Sequence, residues 1–114
     1  MKIDEVAKLI NGKIVSGTAY SDKELSHAFA SDLMSDVLTL DSADILLITG
    51  LTNMQTIRTA EMADIAAIAF VRNKKPTKEM IELAKEGNIV LIESPSSMFN
   101  VCGQLHHAGI KPLF

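Results

Sequence analysis

A short apolar run followed by a turn and a helix-like segment recurs three times in the second half of the chain. The runs 45–49, 67–71 and 89–92 are rich in β-branched residues, as expected for strands that are covered on both faces. The connecting segments 53–64 and 77–86 have the length and composition of helices, and right-handed crossovers would place them against the sheet. This half of the chain therefore predicts a doubly wound α/β unit with a parallel sheet.

The first half of the chain has weaker signals of the same kind. Residues 2–10 have apolar side chains at helical spacing, and the pair Asn11-Gly12 can end that helix through a left-handed residue. Strand character follows at 13–16 and again within 25–30, on either side of a polar turn. Residues 31–38 have the spacing of one or two helical turns, with a Ser or Asp available as the N-cap.

Helix signals are clearest for the last two helices. Thr77 is a suitable N-cap for the helix that stops at 87–88, and Ser96 or Ser97 can cap a final helix that ends at Gly109. With the strands above, the sequence predicts one small three-layer α/β/α domain over residues 1–114, with a mainly parallel sheet.

Composition excludes several classes of function. The chain has a formal charge of −3, and its only basic cluster is 72–75, which we interpret as a solvated loop or an anion site. No nucleic acid is expected as a partner, since a phosphate-binding surface needs clustered Lys and Arg. No signal peptide or apolar run of membrane length occurs, and Cys102 is the only cysteine, so we expect a cytoplasmic protein with no membrane partner.

A doubled Ser-Asp pattern occupies 31–36. At a spacing of four, Ser31 with Ser35 and Asp32 with Asp36 would share faces of a helix. Two carboxylates on one face suit a divalent cation or an acid and base pair, as in a small metal-dependent phosphohydrolase or phosphotransferase. Helix capping with favourable dipole electrostatics explains the same residues.

Polar loops follow the first and third repeat strands, at the edge of the sheet where open α/β proteins bind ligands. Their side chains and the following helix N-termini could hold a phosphate, a carboxylate or a nucleoside hydroxyl, and simple helix capping is the alternative. Neither a Walker A loop nor a G-x-G-x-x-G motif occurs. The candidate ligand-binding residues of the two loops are Thr49, Gly50, Thr52, Asn53, Ser94, Ser96 and Ser97.

Cys102 and His106 lie four residues apart on the last predicted helix. Two ligands do not complete a zinc site, and a catalytic Cys-His pair needs an orienting group and an oxyanion site. We therefore predict no metal, no cofactor and no catalytic residue, and interpret Cys102 as a buried small hydrophobe.

Several segments resemble the stand-alone DRTGG-domain proteins of anaerobic bacteria. They are 22–26 (DKELS), 29–37 (FASDLMSDV), 97–99, 102–103 and 109–110, of which 31–37 is the most specific. The resemblance implies a fold similar to the N-terminal domains of HPr kinase/phosphorylase and of Mur ligases. It also implies a regulatory or dimerising module, since DRTGG domains accompany CBS domains in phosphotransacetylases and regulated pyrophosphatases. Some relatives are encoded beside iron-only hydrogenase components, which implies a link to hydrogenase or redox metabolism.

Together these features predict a non-catalytic regulatory module that binds a small anionic metabolite or nucleotide, or a partner protein. We also predict a homodimer, because 47% hydrophobic residues and a mean hydropathy of +0.21 exceed what so small a monomer readily buries. The side chains expected near the subunit interface are Met54, Met62, Met98 and Phe99.

Overall fold

A computed structural model of the protein describes every residue from Met1 to Phe114. It contains a six-stranded sheet with the strand order β1-β5-β4-β3-β2-β6. The strands are β1 (Lys13–Ser16), β2 (His27–Ala30), β3 (Ile45–Thr49), β4 (Ala67–Phe70), β5 (Val90–Glu93) and β6 (Lys111–Pro112). The helices are α1 (Ile3–Leu9), α2 (Met34–Val37), α3 (Met54–Met62), α4 (Lys78–Glu86) and α5 (Met98–His107), with a 3-10 turn at Thr18–Tyr20.

The mainly parallel sheet predicted from the sequence is confirmed. Strands β6, β2, β3, β4 and β5 are parallel to their neighbours, and only the edge strand β1 runs antiparallel, beside β5. The short strand β6 was not predicted, because two residues that include Pro112 give no periodic signal. No helix of the protein combines the length and apolar content that crossing a bilayer requires.

Helices cover both faces of the sheet, as the predicted three-layer fold requires. One core joins α1 and α5 to the sheet face that presents Leu46, Ile48, Ala67 and Ala69. The other core joins α2, α3 and α4 to the opposite face, which presents the larger side chains of Ile68 and Phe70. Strand β4 thus alternates between alanine on one face and large residues on the other, and every residue of β3 and β4 is buried.

Four helices end in the same backbone motif. The residue after each C-cap is left-handed, and the next amide donates to the carbonyl five residues earlier, which defines a Schellman motif. The left-handed residues are Asn11, Asp64, Asn88 and Gly109, with φ values of 55°, 55°, 58° and 105°. The donated bonds are Gly12 to Ala7 (2.7 Å), Ile65 to Ala60 (2.9 Å), Ile89 to Ala84 (2.9 Å) and Ile110 to Leu105 (3.1 Å). After α3, α4 and α5 this turn delivers a buried isoleucine to the core just before the next strand.

The left-handed residue after α3 provides a test of this motif. Asp64 is exposed and places a negative charge at a helix C-terminus, where it is unfavourable. Replacing Asp64 with Gly should raise the free energy of unfolding by about 0.5 to 1 kcal/mol in urea denaturation, because the left-handed strain is relieved. Asp64→Val should lower the free energy of unfolding. Asp64→Asn removes only the charge, so its effect measures the charge's share of that free energy.

Asp41 is the matched control, since it is also exposed but does not have a positive φ. Asp41→Gly should lower the free energy of unfolding, because glycine gains entropy in the unfolded chain without relieving strain. Equal effects of Asp41→Gly and Asp64→Gly would contradict the assignment of strain to residue 64.

Candidate functional site

The loops at the carboxyl ends of the parallel strands form one edge of the sheet. Residues 31–33 follow β2, 50–53 follow β3, 71–77 follow β4 and 94–97 follow β5. Because β2, β3, β4 and β5 are consecutive neighbours, these four loops lie side by side in that order. All the candidate residues of the two predicted loops are therefore at this carboxyl edge, as is Asp32.

Asp32 is fixed at this edge by two hydrogen bonds. The Thr49 hydroxyl and the Gly50 amide both donate to Asp32 Oδ1, each at 2.8 Å. Thr49 is fully buried, whereas Asp32 is exposed, so the carboxylate is anchored at the end of β3 and faces solvent. The second oxygen, Oδ2, accepts no hydrogen bond from the chain. Charge-assisted bonds of this kind are stronger than neutral ones and hold the carboxylate in one orientation.

The loop after β3 is held by its own side chains. The Leu51 amide donates to Thr49 Oγ1 at 3.1 Å, and the Thr52 hydroxyl donates to the Gly50 carbonyl at 3.2 Å. Asn53 is the N-cap of α3 and accepts from the Thr56 amide at 3.0 Å. The side chains of Thr49, Thr52 and Asn53 therefore hold the backbone of this loop in one conformation.

The loop after β5 uses its serines for backbone contacts. The buried Ser94 hydroxyl donates to the Ile10 carbonyl at 2.7 Å and accepts from the Ser96 amide at 3.2 Å. Ser97 is the N-cap of α5, as predicted, and accepts from the Asn100 amide at 3.1 Å. These bonds tie the loop to the end of α1 and to the start of α5.

The loops after β4 and β5 are bridged by backbone hydrogen bonds. The chain passes from β4 to α4 on one face of the sheet and from β5 to α5 on the other face. The gap between two such neighbouring strands is the usual place for a ligand crevice. Here the Arg72 amide donates to the Ser96 carbonyl at 2.7 Å and the Asn73 amide to the Ser94 carbonyl at 2.9 Å. These two bonds join the loops where such a crevice would open, whereas the loops after β3 and β2 are joined through Asp32.

Basic side chains extend from the bridged loop after β4. Lys75 pairs with Glu93 at 3.2 Å, whereas Arg72 and Lys74 are exposed and belong to neither of the two ion pairs in the protein. Arg72 and Lys74 therefore lie on the loop after β4, the strand beside β3, whose end anchors the Asp32 carboxylate.

The predicted helical pairing of residues 31–36 is wrong. Helix α2 begins only at Met34, so Ser31 and Asp32 precede it and do not share helical faces with Ser35 and Asp36. Ser31 Oγ accepts from the Leu33 amide at 2.9 Å, and Asp32 bonds to the neighbouring strand, so neither is free to cap the helix. Leu33 occupies the N-cap position without a side-chain bond.

The two aspartates also differ in their surroundings. Asp36 is exposed, and its carboxylate makes no hydrogen bond within the protein, in contrast to Asp32. No group of three or more His, Cys, Asp or Glu side chains is placed to hold a metal ion. We therefore do not propose the metal-dependent phosphohydrolase or phosphotransferase that would use Asp32 and Asp36.

Sequence reasoning missed an apolar cleft of about 520 Å³ between α5, β2 and the end of the chain. Cys102 and His106 both line it, together with Phe99 and Phe114. Partial burial raises the pKa of the Cys102 thiol, so this thiol is a weak nucleophile at neutral pH. The sequence signal for this cleft was the presence of Phe99 near the start of the last helix and of Phe114 after the last strand. Both side chains are exposed in the fold.

No protein-family model and no curated protein matches the chain. Among solved structures, the chain resembles the CBS and DRTGG domains of the regulatory region of Clostridium perfringens pyrophosphatase, a structure complexed with the activator diadenosine tetraphosphate. The TM-score is 0.73 at 16% sequence identity, and the match covers 91% of this chain and 45% of that chain. The likeness shows that this chain shares the fold of part of that regulatory region, which is the fold that the sequence resemblance implies.

The bonds of Asp32 lead to a stability prediction. Asp32→Ala should lower the free energy of unfolding by about 1 to 3 kcal/mol, because the Thr49 hydroxyl and the Gly50 amide lose a charged acceptor. Asp36→Ala is the matched control and should change it by less than about 0.5 kcal/mol. In a Thr49→Val background the cost of Asp32→Ala should be smaller, as chemical denaturation of the double-mutant cycle would measure. Equal costs for the two alanine variants would show that the anchoring bonds do not stabilise the edge.

Proposed function

We propose that this chain is a non-catalytic regulatory module that binds a small anionic metabolite, with a nucleotide as the best-supported class, at the carboxyl edge of its sheet. The observation that supports this most is the Asp32 carboxylate. Thr49 and Gly50 hold it by Oδ1 and leave the solvent-exposed Oδ2 without a partner. The candidate residues Thr52 and Asn53 follow in the same loop.

An anchored carboxylate favours one part of a nucleotide over the others. Ribose hydroxyls donate to carboxylates in many dinucleotide sites, whereas a phosphate would be repelled by Asp32. The phosphate would therefore extend toward Arg72 and Lys74, which have no ion-pair partner. Neighbouring strands lie about 4.8 Å apart, so the loops after β3 and β4 are within the reach of one nucleotide.

The bonding of the edge supports binding rather than catalysis. Its hydroxyl and amide side chains donate to or accept from the backbone at fixed positions, as in the bonds of Thr52, Asn53, Ser94 and Ser97. The acid and base pair suggested by the sequence needs Asp36 beside Asp32, and Asp36 makes none of the hydrogen bonds that hold Asp32.

The structural likeness supports the choice of ligand class. The similar structure is a regulatory region in complex with a nucleotide activator, diadenosine tetraphosphate. Because this chain spans less than half of that one and is 16% identical to it, the likeness suggests which compounds to test first and transfers no activity. The links to hydrogenase or redox metabolism, to a partner protein and to the cytoplasm stay predictions from the sequence.

The homodimer is a second part of the proposal. Of the four side chains expected at an interface, Met62 is 73% exposed and Phe99 is 90% exposed, whereas Met54 and Met98 are partly buried against the two cores. We assign the subunit contact to the α2–α3 side, where Met62 lies in the same helical layer as the exposed Leu38. A two-fold interface there would bury on the order of 1,200 to 2,000 Å² in total.

Calorimetry with adenosine nucleotides and diadenosine tetraphosphate tests the ligand site. A ligand at about 100 times its Kd should stabilise the protein by roughly 2.7 kcal/mol. Asp32→Asn should weaken binding at least about tenfold, because one hydrogen bond to a charged group is lost. A combined Arg72→Gln and Lys74→Gln variant should weaken nucleotides but not the corresponding nucleosides.

The matched controls are Asp36→Asn and Lys85→Gln, both exposed and outside the proposed site. They should leave affinity unchanged. Absence of any heat or thermal shift at millimolar ligand would overturn the ligand site and leave a purely structural role. Equal losses in Asp32→Asn and Asp36→Asn would place the ligand elsewhere.

Light scattering tests the dimer. At micromolar concentration the mass should be twice 12.4 kDa, and Met62→Glu should reduce it to the monomer value because a charge in an apolar interface is costly. Met62→Leu should remain dimeric. A wild-type mass near 12.4 kDa would refute the dimer without bearing on the ligand site.

A further inference from the structure

The apolar cleft beside α5 has the size of a small-molecule site. Its volume of about 520 Å³ lies within the range of ligand pockets. The floor of the cleft is open because β2 contributes only alanines, Ala28 and Ala30, to this face. On the helix wall, a side chain added at Gly103 would meet nothing within 4 Å, so the wall also leaves room.

Two exposed phenylalanines flank the cleft. Phe99 is 90% exposed and Phe114 is 89% exposed, although both line the same space. The Phe114 ring meets the Phe29 ring edge-on, with centroids 6.0 Å apart and an interplanar angle of 70°. Phe29 packs with the core on the other face of the sheet, so this contact holds Phe114 beside β2, past the residues that β6 covers. Exposed aromatic faces of this kind favour stacking with a planar ring.

Strand register places the charged groups at the other end of the cleft. Lys111 pairs with His27 and Pro112 with Ala28, so the last residues run parallel to β2. From Lys111 to Phe114 this direction spans about 10 Å, at roughly 3.3 Å per residue. Helix α5 starts after the carboxyl end of β5 and returns in the opposite direction, so Phe99 lies toward the end of Phe114 and His106 toward the end of Lys111.

The cleft is therefore aromatic at one end and basic at the other. No acidic residue lines it, and Lys111 belongs to neither ion pair of the protein. We propose that the cleft binds a planar aromatic ring that carries an anionic group, with the ring between Phe99 and Phe114 and the anion at Lys111 and His106. This site is independent of Asp32 and of the function proposed above, since it shares none of those residues.

The absence of tryptophan from the sequence gives a direct assay. Phe99→Trp places a single indole at the mouth of the cleft and keeps an aromatic face there. The fluorescence of this indole should change saturably when adenosine monophosphate or nicotinate is added. A response to the first compound indicates a nucleotide site, and a response to the second indicates a site for an aromatic carboxylate. Adenosine should bind more weakly than adenosine monophosphate, and inorganic phosphate alone should give no response. Tyr20→Trp, a lone indole at an exposed residue outside the cleft, should not respond.

Calorimetry on unlabelled variants separates stacking from simple apolar contact. Phe99→Leu should lower affinity by about ten- to a hundredfold, whereas Phe99→Tyr should retain it. Lys111→Gln should weaken the monophosphate and leave adenosine unchanged, and the exposed Lys8→Gln is its charge-matched control. Phe99 and Lys111 are both exposed, so none of these variants should alter folding.

Three results would overturn the proposal. The first is no saturable response to either ring-bearing anion at millimolar concentration. The second is equal affinity in Phe99→Leu and Phe99→Tyr. The third is a dimer in light scattering that Phe99→Leu converts to a monomer, since the cleft would then be a contact between two copies of the chain.

Discussion

Burial of both faces of the central strands is the constraint on which the rest of this structure depends. All five residues of β3 and all four of β4 are buried, so the chain must bring helices to both sides of the sheet. Right-handed crossovers place α2, α3 and α4 on one side, and only the last connection, through α5, returns on the other. Polar side chains are consequently concentrated at the ends of the strands.

The two ends of the sheet have different roles. At the amino ends, Schellman turns after α3 and α4 deliver Ile65 and Ile89 to the core and fix the entry into the next strand. At the carboxyl ends, hydrogen bonds join adjacent loops, as where Asp32 accepts from the Thr49 hydroxyl and the Gly50 amide. The same stabilising contacts therefore orient the groups that a ligand would meet.

Sequence patterns predicted the parts of the fold that depend on local physics. Strand β3 was predicted with its observed bounds because a continuous apolar run needs no knowledge of its neighbours, and the caps Thr77 and Ser97 bond only three residues ahead. The role of Asp32 was not predictable in this way. Its partners are 17 and 18 residues away and become neighbours only because β2 pairs with β3. Helix spacing instead linked it to Asp36, on a helix that starts too late to include it. The cleft beside α5 was not predicted for the same reason, because it forms only where the short strand β6 pairs with β2.

A two-dimensional NMR titration of the uniformly ¹⁵N-labelled chain with diadenosine tetraphosphate tests whether a nucleotide binds at the carboxyl edge of the sheet. We expect saturable shifts centred on the amides of Asp32, Gly50 and Arg72, because these residues flank the proposed ligand position. No shift at millimolar ligand, or shifts that leave the loops after β2, β3 and β4 unchanged, would contradict it.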